Sequence, residues 1–144
     1  MSNQTVKAGY NKIAKKYLKY RDIFKNNKHL DLLIKRLQLG ATILDIGCGA
    51  GVPIDKYFID KGFKIIGIDI SDKQIELAKK NLPEGEFKVK DMLDLKKREF
   101  TVDTVVSFYA IFHTPRQKHL EILQKINSFL PDNGYLLVTM GATD

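Results

Sequence analysis

The stretch Leu44-Asp45-Ile46-Gly47-Cys48-Gly49-Ala50-Gly51 decides the fold. Its first residues finish a short, β-branched apolar run that begins at Thr42, and its last residues lead into Val52 to Lys61, a segment able to form a helix. A run apolar at nearly every position suits a strand buried on both faces of a parallel sheet. Pro53 is tolerated in a first helical turn, where its missing N–H has no partner to lose, and Gly62 is placed to end the helix. Phe63 to Ile70 repeats the apolar pattern. Residues 42–70 therefore read as strand, glycine loop, helix and strand.

Working outward, Ser71 offers an N-cap and Gln74 its capping-box partner, opening a helix through Ile75, Leu77, Ala78 and Leu82 that ends near Pro83. Glu86 to Lys90 predicts a third strand and Val102 to Phe108 a fourth. Thr114, Pro115 and Gln117 supply cap, first-turn proline and capping-box partner for a helix whose apolar side is Leu120, Leu123, Ile126 and Leu130. Pro131-Asp132-Asn133-Gly134 makes a turn, and Tyr135 to Met140 is a fifth strand. On the N-terminal side, Val6, Tyr10, Ile13, Ala14, Tyr17 and Leu18 recur at helical spacing, as do Leu30, Leu33, Ile34 and Leu37. These predict two amphipathic helices, the second closed by Gly40. Strands alternating with helices give the α/β class: a Rossmann-like, doubly wound parallel sheet of about five strands with right-handed crossovers.

The length of 144 residues, 44% hydrophobic, fits one compact domain with its own core. Within it, residues 1–40 form basic helices that cap the site and residues 41–144 the ligand-binding core. Residues 1–40 hold ten Lys or Arg against Asp22 and Asp31, whereas residues 41–144 hold 14 basic and 15 acidic side chains. The formal charge of +7 is thus concentrated in the N-terminal segment. Such an arm either attracts RNA, an acidic substrate or anionic lipid, or is a solvated lysine face. Only two of its ten basic residues are arginines, the residue that nucleic-acid readers favour for bidentate contacts. No apolar run approaches the ~20 residues of a membrane helix. The lysine-rich N-terminus, without an apolar run ending in a small-residue cleavage site, does not read as a secretory signal. With Cys48 as the single cysteine, a reducing, cytoplasmic setting is expected, and no metal site.

Ligands of such sheets sit beyond the carboxyl ends of the strands, where the winding reverses. Gly47, Gly49 and Gly51 let the backbone turn sharply and approach a ligand, and the next helix presents free N–H groups. A dinucleotide fingerprint spaces its last two glycines by two residues and seats a pyrophosphate; here the pattern is Asp-x-Gly-x-Gly-x-Gly. An acid ahead of the loop suits a ligand carrying an ammonium group, which Asp45 could hold directly or through water. Asp69, 22 residues after Gly47, is placed to accept hydrogen bonds from ribose hydroxyls.

Leu44 to Gly51, followed by Gly67-Ile68-Asp69-Ile70-Ser71, resembles the first two motifs of the class I S-adenosylmethionine-dependent methyltransferases, notably the group that holds many small-molecule enzymes. The resemblance covers almost the whole chain. It implies S-adenosylmethionine as cofactor, with Asp45, Gly47, Cys48, Gly49, Gly51, Asp69 and Ile70 around it. It further implies that Asp91 accepts from the exocyclic amine of the adenine while the Met92 thioether packs on the ring. Ser107 and Phe108 match the next wall of the pocket, although Phe108 reads equally as core. Tyr10-Asn11-Lys12-Ile13-Ala14-Lys15-Lys16-Tyr17 is similar to the family's cofactor-covering helix, so Tyr10 and Tyr17 either close the pocket or dock on the sheet.

Methyl transfer needs the acceptor in line with the methyl carbon and, for a weak nucleophile, a base. His113, shortly after the fourth strand, is the candidate base; otherwise it orients the loop before Thr114 or faces solvent, as His29 and His119 are read to do. Ser107-Phe108-Tyr109-Ala110 stands where enzymes acting on amino groups of adenine or glutamine carry an Asn-Pro-Pro-Tyr-like sequence, and no Pro-Cys pair is present for attack on a pyrimidine. The expected function is methyl transfer to a small molecule, with an RNA or protein acceptor, or cofactor binding without turnover, as alternatives. The family continues past the fifth strand with a further helix and a β-hairpin. The expectation is therefore a chain lacking that part, whose fifth strand is a bare apolar edge prone to self-association.

Overall fold

The computed structural model describes residues 27–140, together with Lys7. The first expected helix, with Tyr10 and Tyr17, lies outside the described residues. Elements follow in the order α1 (Asn27–Ile34), β1 (Thr42–Ile46), α2 (Ile54–Asp60), β2 (Lys64–Asp69), α3 (Asp72–Asn81), β3 (Glu86–Val89), β4 (Thr104–Ser107), α4 (His119–Phe129) and β5 (Tyr135–Val138). Short 3-10 turns at Met92–Asp94, Ile111–His113 and Arg116–Lys118 punctuate the loops. All five strands pair in parallel, in the order β3-β2-β1-β4-β5. The expected α/β class and Rossmann-like sheet are observed.

Period-two alternation sorts the strand side chains into two cores. Ile43, Ile65 and Val106 join one buried cluster with Leu30 and Leu33 of α1, Phe58 of α2, and Ile75 and Ala78 of α3. Leu44, Ile46, Ile68 and Val105 join the other, with Ile122, Ile126 and Phe129 of α4. Helices cover both faces, which is why β1 reads as continuously apolar.

Gly62 ends α2 as the sequence predicts. It stands at φ +95°, its N–H donates to the Ile59 carbonyl at 2.9 Å, and the Phe63 N–H donates to the Phe58 carbonyl at 3.1 Å. This is a Schellman closure, sealed by the edge-to-face contact of Phe58 with Phe63 at 6.4 Å.

Four expectations are corrected. Helix α1 ends at Ile34, and Gly40, at φ +82°, turns the chain into β1 instead of capping that helix. The Thr114 hydroxyl donates back to the Ile111 carbonyl at 2.6 Å and closes the preceding 3-10 turn, so α4 starts only at His119. The buried stripe of α4 is consequently Ile122, Ile126 and Phe129, while Leu120 is 68% exposed. His119, expected in solvent, is part-buried, with its Nε2 3.1 Å from the Thr114 carbonyl.

Candidate functional site

The order β3-β2-β1-β4-β5 reverses direction between β1 and β4, and a parallel sheet opens its ligand crevice beyond the carboxyl ends at that point. A cavity lies there, with about 580 Å³ of empty space, mouth included. Its lining comes from the ends of successive strands: Ile46, Gly47 and Gly49 after β1, Asp69, Ile70 and Gln74 after β2, Lys90 to Met92 after β3, and Phe108 to Ala110 with His113 and Thr114 after β4.

The glycine loop is stitched to the neighbouring strand. The N–H groups of Gly47 and Cys48 both donate to the Ile68 carbonyl, at 2.8 and 2.9 Å. Gly47 has φ +78°, and a Cβ there would collide with Ala110. The Gly49 N–H donates to Asp69 Oδ2 at 2.9 Å, and the Ser71 N–H to Asp69 Oδ1 at 2.9 Å. Asp69 thus ties the loop after β1 to the start of α3, and its buried carboxylate reaches the cavity already oriented. A carboxylate offers about four acceptor sites, so two backbone bonds do not exhaust it.

Asp91 caps the 3-10 turn Met92–Asp94, accepting from the Leu93 N–H at 2.9 Å. That turn brings the Met92 thioether to the cavity wall. Lys90, on the same wall, is ion-paired with Glu99 at 3.1 Å. At the mouth, Tyr109 holds a left-handed backbone at φ +56° and is 43% exposed. Such a conformation costs a non-glycine residue about 1–2 kcal/mol and persists where surrounding structure imposes it. Phe112 packs edge-to-face on Tyr109 at 6.5 Å and tilts against His113 at 4.4 Å. Burial pushes the His113 imidazole below its usual pKa, which favours the neutral ring.

Of the residues expected at the site, the structure brings together Gly47, Gly49, Asp69, Ile70, Asp91, Met92, Phe108 and His113. Four others do not line the cavity. Cys48 lies in the core cluster beside Phe87, its Sγ donating to the Gly49 carbonyl at 3.4 Å, because the turn at Gly47 sends it toward Gly67. Gly51 serves packing: a Cβ there would press on Leu82. The Ser107 hydroxyl donates to the Ile46 carbonyl at 2.8 Å and fastens β4 to β1. Asp45 is 1% exposed, on the sheet face of Ile43. Sequence reasoning missed Gln74 and Tyr109 as wall residues. The pattern at Gln74 pointed to a helix cap, and only the backbone reveals the strain at Tyr109.

A family model described as "Methyltransferase domain" matches residues 43–134. The chain is 30% identical over 131 residues to a tRNA (carboxymethyluridine(34)-5-O)-methyltransferase of Saccharomyces cerevisiae, covering 90% of this chain and 45% of that protein. A TehB-like SAM-dependent methyltransferase from Corynebacterium glutamicum superposes with a TM-score of 0.77 at 25% identity, over 90% of this chain and 73% of that one. PKMT2 from Rickettsia typhi, solved in complex with AdoHcy, superposes with a TM-score of 0.59 at 31% identity, over 69% of this chain and 20% of that one. The chain spans about half the length of the curated relatives it matches.

Proposed function

From the premise that the chain belongs to the methyltransferase-domain family, in its class I S-adenosylmethionine-dependent group, we propose that its cavity binds S-adenosylmethionine and serves methyl transfer to a small-molecule acceptor. The observation that carries this reading is the Asp69 carboxylate, held by the Gly49 and Ser71 N–H groups at the edge of the cavity. It offers an oriented acceptor for a ribose, and Asp91 offers another for the adenine amine. Ile70, Met92 and Phe108 supply the apolar walls a purine requires. When bound, the cofactor supplies a methyl group on a sulfonium, an electrophile that needs positioning more than activation. His113, kept neutral by burial, takes the proton of an acceptor hydroxyl or amine at the cavity mouth.

A small acceptor suits this mouth because, among the described residues, its one lysine, Lys90, is paired with Glu99 and no arginine lines the cavity. The single cysteine, buried as a thiol, supports a reducing, cytoplasmic setting. Among the described residues no helix is long and apolar enough to cross a membrane. Titration calorimetry with S-adenosylhomocysteine and NAD side by side tests the cofactor. Heat with the former and none with the latter supports it, and binding of NAD alone overturns it.

A second reading rests on the ten basic residues of segment 1–40 and on the yeast tRNA-modifying relative. RNA then docks on the N-terminal segment. Its binding would fall steeply with salt and would drop when Lys15, Lys16 and Lys19 are neutralised. Salt-insensitive or absent RNA binding leaves the small-molecule reading in place.

A further inference from the structure

Between β3 and β4 the chain places an arginine where glycine would fold more easily. The Glu99 N–H donates to the Lys96 carbonyl at 3.2 Å, closing a turn with Lys97 and Arg98 at its tip. Arg98 holds φ +61°. At the third position of such a turn that conformation favours glycine or asparagine and strains any larger residue. The turn is braced on both sides. The Glu99 carboxylate accepts from the Lys96 N–H at 2.9 Å and pairs with Lys90 at 3.1 Å, while Ser128 Oγ of α4 accepts from the Arg98 N–H at 2.8 Å. Each of these bonds is one that glycine at position 98 would leave in place, so the fold gains nothing from the guanidinium. Strain kept without a structural return points to a use for the side chain. Lys97 and Arg98 border an open groove of about 1530 Å³, solvent side included, whose other wall is Gln124, Asn127 and Ser128 of α4. Gln124 and Asn127 are exposed and, three residues apart, share one helix face. Among the described residues no carboxylate and no aromatic ring lines this groove. The one acid of α4, Glu121, is engaged by Lys118 at 3.5 Å and by Lys125 at 3.1 Å.

We propose that this groove docks the backbone of an RNA helix, with Lys97 and Arg98 on phosphates and the Gln124 and Asn127 amides on 2′-hydroxyls. The two cations, unopposed by any acid in the groove, suit a polyanion, and the planar guanidinium suits a phosphate in particular. Each amide both donates and accepts, as a 2′-hydroxyl does, and double-stranded RNA is recognised through such hydroxyl and phosphate contacts. The lack of an aromatic ring argues against a single strand, whose bases are held by stacking. An anionic bilayer would meet the turn tip but not the amides inside the groove. The site lies outside the cofactor cavity and rests neither on the reading of that cavity nor on the basic segment 1–40. RNA held there would also support the second reading of the acceptor.

The test uses the full chain, Arg98→Gly, Lys97→Gln and the double variant Gln124→Ala with Asn127→Ala. Thermal melts come first. Arg98→Gly is expected to melt no lower than the parent, and a clearly lowered Tm would assign the arginine to the fold and overturn the proposal. Fluorescence anisotropy follows, with a labelled RNA hairpin, a DNA hairpin of the same sequence and vesicles containing phosphatidylserine. Arg98→Gly and Lys97→Gln are each expected to weaken RNA binding about eightfold at about 0.1 M salt and to lower the salt slope by about one, the release of one phosphate contact. The double variant is expected to weaken binding of RNA but not of DNA, because only RNA carries the 2′-hydroxyl. RNA affinity unchanged in all three variants would place any RNA elsewhere, segment 1–40 included, and overturn the proposal. Equal affinity of the parent for the two hairpins, or binding of the vesicles without the RNA, would overturn it as well.

Discussion

Gly47 holds φ +78° with Ala110 pressed close to its α-carbon, so it meets two demands that no L side chain can meet together. Gly47→Ala is expected to cost about 2 kcal/mol, the sum of left-handed strain and displacement of the loop after β4. A melt would show it as a lowered Tm, with S-adenosylhomocysteine affinity falling too because Ala110 lines the cavity. An unchanged Tm would mean that the loop yields freely.

His113 makes a prediction with a defined sign. Burial lowers its folded-state pKa below the value near 6.5 of an unfolded chain, so the unfolded state binds the proton more readily. Its contribution to stability is present above pH 6.5 and is lost as pH falls through 6.5 toward the lowered folded value. Methyl transfer should share that shape, flat at neutral pH and declining below an inflection under 6.5. His113→Asn should remove the inflection and lower kcat while leaving S-adenosylhomocysteine affinity unchanged. An inflection that survives the substitution assigns it to another group.

At this scale part of the cavity lining was legible in the sequence. Gly47, Gly49, Asp69 and Asp91 were legible because glycine spacing and an acid after each strand carry chemistry in one dimension. Cys48 and Gly51 lie off the cavity wall because consecutive residues of a tight loop point to opposite sides, set by Gly47's positive φ, and Ser107 because its hydroxyl turns to the Ile46 carbonyl across the sheet.

Among the elements, the bounds of β1 agree with the sequence reading to the residue, since a strand buried on both faces starts and stops with its apolar run. Helix α4 was shifted in register, because a side-chain bond from Thr114 to the Ile111 carbonyl outcompeted the helix cap. Local hydroxyl-to-backbone bonds of this sort compete with capping and leave no periodicity to read. Ser107 shows how such a bond joins elements. Its hydroxyl satisfies the Ile46 carbonyl at the end of β1, fixing β4 where the winding reverses. Ser107→Ala should destabilise by about 1–2 kcal/mol, the cost of an orphaned buried carbonyl. Denaturant unfolding would measure it, and calorimetry should find S-adenosylhomocysteine affinity within about twofold of the parent. A large loss of affinity with unchanged stability would return Ser107 to the cavity wall.

The whole molecule shows its asymmetry in the two edges of the sheet. Edge strand β3 carries Glu86 and Lys88, ion-paired at 3.0 Å, and such charges discourage pairing with another chain. Edge strand β5 reads Tyr-Leu-Leu-Val, pairs only with β4 among the described residues, and has no charged side chain along its length. Tyr135 is 40% exposed, and Leu136, Leu137 and Val138 are half-buried. An uncharged apolar edge with unpaired N–H and carbonyl groups is a template for strand addition. The 144-residue chain is therefore expected to self-associate through β5. Light scattering should give a mass that rises with concentration across the micromolar range. Added salt should not abolish the association, because backbone hydrogen bonds and apolar contact, not charge, drive it. A strictly monomeric mass over that range would overturn the expectation. Dissociation by salt alone would instead point to the basic N-terminal segment, whose excess charge is the other large asymmetry of the chain.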